Sequence, residues 1–146
     1  MKIIGITGGV GSGKSRVLSY METKYSAVIC QADHVAWKLQ EPGQKCYAQI
    51  VAYFGENILE EDGTINRGKL GQIVFNDKEK LDILQSIITN KVVENIDNNI
   101  SRLKEERFEG IVIIDAAQAM AHSSDILRGV EPDVICFSAH KLNNHS

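Results

Sequence analysis

Eight residues near the start of the chain, Gly8-Gly9-Val10-Gly11-Ser12-Gly13-Lys14-Ser15, constrain it more than any other stretch. They fit the pattern G-x-x-x-x-G-K-[ST] at every fixed position. Glycines let such a loop turn tightly and aim successive backbone N–H groups inward, and the N-terminus of a following helix adds its own unsatisfied donors, so the two form a concave site for anionic oxygens. The flanks agree: Lys2-Ile3-Ile4-Gly5-Ile6-Thr7 is a short β-branched run suited to a buried parallel strand, and Arg16-Val17-Leu18-Ser19-Tyr20-Met21 reads as helix. An inert glycine turn needs neither those flanks nor the Lys-Ser pair. Gly9, Gly11, Ser12, Gly13 and Arg16 are therefore expected to surround a nucleotide. Lys14 would reach its β- and γ-phosphates, and the Ser15 hydroxyl would take a magnesium ion bridging them.

At 146 residues the chain is expected to be a single domain over 1–146, long enough to bury a core. With 43% hydrophobic and 24% charged residues it is neither disordered nor fibrous. A formal charge of −3 provides no general basic surface for nucleic acid, so polyanion binding should stay local to the loop. Cys30, Cys46 and Cys136 are too few and scattered for a disulfide framework, which fits a reducing cytoplasm. Gly8-Gly9 breaks the apolar start before a signal-peptide core can form, and no later run approaches membrane-spanning length. Composition leaves the oligomeric state open.

The first helix is expected to run to about Lys24 and to turn Val17, Leu18, Met21 and Tyr25 onto a sheet. Ala27-Val28-Ile29-Cys30-Gln31 reads as a second strand, parallel to the first through a right-handed crossover, with Asp33 at its C-terminal end. Ligands of open α/β sheets bind outside those ends, so Asp33 and Lys14 should face one cleft. The alternative makes Asp33 an N-cap for a helix beginning at His34. Tyr47, Ile50, Val51 and Phe54 describe an amphipathic helix closed by Gly55. Arg67 and Lys69 either meet a second anionic group or are solvated surface, ahead of an apolar stretch Ile73-Val74-Phe75.

Asn76 and Glu79 resemble a capping box opening a helix through Leu81, Leu84, Ile87 and Ile88. A second start at Thr89-Asn90 is left open, and Val92, Val93, Ile96, Ile100 and Leu103 continue the helical spacing to a stop at Gly110. Ile111-Val112-Ile113-Ile114 is a third buried strand closing with Asp115, either a carboxylate that orients magnesium and its waters or a loop cap. A helix holding Ile126 and Leu127 leads to a fourth strand, Asp133–Ser138. The alternation predicts an α/β protein of P-loop NTPase type, a doubly wound and mainly parallel sheet with flanking helices.

From Met1 to about Ala117 the chain resembles the dephospho-coenzyme A kinases, which phosphorylate the 3′-hydroxyl of dephospho-CoA with ATP. The likeness rests on Gly5 to Ser15, Gln31-Ala32-Asp33 where the family has Asp-Ala-Asp, Glu41-Pro42-Gly43, Phe54-Gly55 and Asp62-Gly63, then on Asn66-Arg67, Leu70, Val74-Phe75 and Ile114-Asp115-Ala116. It implies Asp33 as catalytic carboxylate beside Lys14, Arg67 as a holder of the substrate dephospho-CoA, ATP as donor with Mg2+ at Ser15 and Asp115, and a cytoplasmic enzyme of coenzyme A biosynthesis. The chain departs from the family where Thr89-Asn90 replaces His-Pro and Arg16 replaces Thr. Beyond Ala117 neither the Leu-Leu-x-Glu stretch nor an arginine-bearing lid is recognisable, so the segment from about 118 is atypical and turnover is open to impairment.

Residues 115–142 resemble instead the pyridoxal-phosphate segment of cysteine desulfurases and class V aminotransferases. There an Asp pairs with the pyridinium, a Gln meets the ring hydroxyl and a Lys forms the Schiff base, roles that would fall on Asp115, Gln118 and Lys141 beside His140. Two readings therefore stand beside the kinase: a nucleotide-binding module without turnover, and a pyridoxal-phosphate fragment.

Overall fold

The computed structural model describes residues 1–7, 14–117 and 123–137. Strand β1 (Lys2–Thr7) leads to helix α1 (Lys14–Tyr25), and β2 (Val28–Gln31) runs directly into α2 (Ala32–Leu39). After α3 (Lys45–Phe54), a single 3₁₀ turn at Glu56–Ile58 and α4 (Arg67–Phe75) comes the long α5 (Lys78–Glu105). β3 (Ile111–Asp115), α6 (Ser123–Val130) and β4 (Val134–Phe137) complete the described elements. The strands form one parallel sheet in the order β2-β3-β1-β4. The expected doubly wound α/β architecture is present.

Each face of the sheet has its own cover. On one side Leu18 and Met21 of α1 pack with Ala27, Ile29, Ile111 and Ile113. On the other, Ile3, Val112 and Ile114 join a larger core threaded by Leu84, Ile88, Val92, Ile96 and Ile100, a stripe along α5 that repeats every four residues. Helices α2, α3, α4 and α6 all pack on α5. Gly129 permits a close approach of α6 to α5, since a Cβ there would lie 2.8 Å from Val93 Cγ1.

Several local expectations are corrected. Val17 and Tyr25 are 59% and 51% exposed, so the stripe of α1 narrows to Leu18 and Met21, and Tyr25 stacks edge-on with Tyr20 instead. The stretch from Arg67 to Phe75, to which the sequence reading assigned no element, is a helix, with Asn66 as its N-cap accepting from the Lys69 N–H at 3.0 Å. Asp77, not Asn76, caps α5 by accepting from Lys80 N–H, while Asn76 ends α4. Helix α5 runs through Thr89-Asn90 without a second start, because its buried stripe passes from Ile88 to Val92 unbroken. It ends at Glu105, five residues before Gly110, where Arg107 turns left-handed at φ 59°.

Candidate functional site

Asp115 is the last residue of β3, an inner strand, and its register partners are Ile6 on β1 and Gln31 on β2. That position puts a carboxylate at the C-terminal edge of the sheet where the loop after β1 departs. Lys14, the first residue of α1, reaches it: Nζ lies 3.0 Å from Oδ2 and 3.2 Å from Oδ1. Oδ1 also accepts from the Ala117 N–H at 3.2 Å. The carboxylate side chain is 6% exposed and the lysine 18%, so the pair is largely removed from water. The sequence placed Lys14 on phosphates and Asp115 on a metal as separate roles, whereas the structure brings them into direct contact. Ser15 and Arg16 follow on the exposed first turn of α1. Gly9, Gly11, Ser12 and Gly13 lie outside the described residues, as do Gln118, His140 and Lys141 of the second resemblance.

The second half of the site begins where β2 meets α2. Gln31 sits beside Asp115 in register and is the N-cap position of α2, without a side-chain cap bond. Asp33 thus falls in the first turn, where the helix field favours a carboxylate, and its Oδ1 accepts from the His34 N–H at 2.9 Å. It is not the N-cap of a helix starting at His34, because the helix starts two residues earlier. Four residues on, and so on the same side of α2, stands Trp37. Arg67, the first residue of α4, lies over that indole with its guanidinium carbon 3.1 Å from the ring centre. Sequence reasoning selected Arg67 but missed Trp37, which its spacing from Asp33 could have flagged. Lys69 is exposed.

A parallel sheet whose phosphate-loop lysine is held by the carboxylate closing the neighbouring strand defines the P-loop class of α/β nucleotide-binding proteins. Comparison with known proteins narrows this. The family model described as dephospho-CoA kinase matches residues 2–117. A dephospho-CoA kinase from Carboxydothermus hydrogenoformans is 42% identical over 113 residues, 77% of this chain and 54% of the relative. One from Listeria monocytogenes is 48% identical over 93 residues, 64% of this chain and 46% of that protein. Among solved structures, a dephospho-CoA kinase from Campylobacter jejuni is 27% identical, with a TM-score of 0.61 over 80% of this chain and 58% of its own. A crystal structure from Thermus thermophilus, 21% identical, repeats the fold with a TM-score of 0.64 over 94% of this chain and 64% of its own. The chain belongs to the dephospho-CoA kinase family. It spans about half the length of the curated relatives it matches.

Proposed function

We propose that the chain carries the phosphoryl-transfer core of an ATP-dependent kinase acting on the 3′-hydroxyl of dephospho-CoA. The observation that carries this reading is the Lys14–Asp115 pair at the C-terminal end of the sheet, with Asp33 in the first turn of the helix that continues directly from Gln31, the register partner of Asp115. A cation for phosphates and a carboxylate for an attacking hydroxyl then share one rim. Asp33 orients the ribose 3′-hydroxyl and accepts its proton as the oxygen attacks the γ-phosphorus, and ADP departs carrying the electrons of the broken bond. Lys14 swings from Asp115 to the β- and γ-phosphates, where its charge offsets the charge spread over the transferred group. Arg67, held over Trp37, presents donors to a phosphate of the acceptor.

The residues fit a magnesium ion of the kind that nucleotides bring with them. Among the described residues no cluster of three metal-ligating side chains exists, and Ser15 offers one exposed hydroxyl beside the Lys14–Asp115 pair. A hard ion held by one hydroxyl, phosphate oxygens and waters needs no more, with Asp115 accepting from those waters. When bound, the ion would neutralise phosphate charge. Among the described residues no helix is long and apolar enough to cross a membrane, in keeping with work in the cytoplasm.

The experiment is a coupled ADP-release assay with ATP and magnesium, run with and without dephospho-CoA. ADP release that depends on dephospho-CoA and yields coenzyme A is expected. ATP binding without release would assign the chain to nucleotide binding alone.

A further inference from the structure

A cavity of about 580 Å³ lies outside the pair and outside the Asp33–Trp37–Arg67 cluster. Val28, Ile29, Cys30 and Gln31, the whole of β2, line it. Successive strand residues point to opposite faces, so one cavity can touch all four only along the strand's edge. Among the described residues that edge is free, because β2 ends the sheet and pairs with β3 alone. The cavity is walled from both layers, by Leu18 and Ser19 of α1 on one side and Ile100 and Leu103 of α5 on the other. Its upper rim holds Ser15 and His34, the latter adjacent to Asp33. It is a groove that starts at the transfer site and follows an unpaired strand edge.

We propose that this groove receives the amide-bearing arm of the acceptor, laid along β2 in the manner of an added strand. The inference rests on the dephospho-CoA reading and assigns the part of that substrate remote from the reacting hydroxyl. An unpaired parallel edge presents both the N–H and the C=O of alternate residues outward, and buried groups of that kind need partners. The pantetheine arm supplies them with two secondary amides in an extended chain. Its geminal methyl groups match the aliphatic walls, Leu18, Val28, Ile100 and Leu103, and burial pushes the Cys30 thiol on the same strand up to about 11. A four-residue edge extends only about 13 Å and is closed on both sides by helices, which suits a short arm and not a strand of another protein. The adenosine end would then lie at the upper rim, beside Asp33.

Hydrogen exchange at the amides of 28–31 tests this on the whole chain. The groups facing the groove should exchange at least tenfold more slowly with saturating dephospho-CoA than with ADP, which lacks the arm. Ser19→Trp, on the exposed face of α1, should fill the groove, remove that protection and weaken dephospho-CoA binding about tenfold or more in calorimetry, leaving ADP affinity unchanged. Ser19→Ala should behave as wild type. Dephospho-CoA binding with no slowing over 28–31, equal slowing with ADP, or undiminished affinity in Ser19→Trp would each overturn the groove assignment alone. Failure of the unaltered chain to bind dephospho-CoA would overturn both it and the substrate reading.

Discussion

Removing either partner of the Lys14–Asp115 pair should destabilise the chain, but by unequal amounts. The two contacts of 3.0 and 3.2 Å join groups 18% and 6% exposed, so the carboxylate is the deeper charge. Lys14→Met leaves that carboxylate with the Ala117 N–H as its one described donor. Breaking a buried pair in this way costs about 3–5 kcal/mol, and partial access of water to the site puts the expected loss near the lower bound, about 3 kcal/mol. Asp115→Asn leaves an ammonium on a flexible stem that can turn outward to solvent. Its loss is that of a charge-assisted hydrogen bond, about 1.5 kcal/mol after the amide retains the Ala117 bond. Urea unfolding followed by far-ultraviolet circular dichroism measures both, and the double variant should fall short of the sum by about 1 kcal/mol or more. Equal losses, a reversed order, or strict additivity would refute the argument that a buried, mutually dependent ion pair anchors the start of α1.

Asp33→Asn should lower turnover at least about a hundredfold while calorimetric ATP affinity stays unchanged, because its partner is the attacking hydroxyl and not the nucleotide. Arg67→Ala should shift the fluorescence of Trp37, the chain's only tryptophan, and weaken dephospho-CoA binding by about 1–2 kcal/mol, with ATP binding again the control. Burial raises the Cys30 and Cys46 thiols from the ordinary 9.0 to about 11, so an unfolded chain loses these protons first. Their contribution to stability is therefore complete below pH 9 and is lost as pH rises toward 11, a decline that Cys30→Ala with Cys46→Ala should flatten in thermal melts. Iodoacetamide at pH 8 should label exposed Cys136 well before half-buried Cys30 or buried Cys46, as peptide mass spectrometry would report.

Much of the molecule is written locally. The spacing of Gly8 to Ser15, the β-branched runs of β1, β2 and β3 and the apolar period of α5 each lie within a few consecutive residues, where strand and helix signals are carried by neighbours in the chain. They sufficed for the parallel α/β class, for Lys14 and Ser15 at the start of α1, and for a carboxylate at the end of β3, while Asp33 proved to lie in the first turn of α2 and not on β2. Helix boundaries were less legible, since Asn76 and Asp77 are equally good caps in isolation and only the packing of α4 against α5 assigns one to each helix.

Tertiary structure alone decided the rest. That β3 inserts between β1 and β2 follows from which apolar faces bury together, and this order brings Asp115 to Lys14 across 101 residues of chain. The stack of Arg67 on Trp37 likewise depends on α2 and α4 sharing α5 as their support. The outer edge of β2, unpaired among the described residues and with a helix on each side of it, exists only once the strand order is set. No local pattern encodes such contacts, because their energies come from burial and charge pairing between segments that meet only in the folded chain.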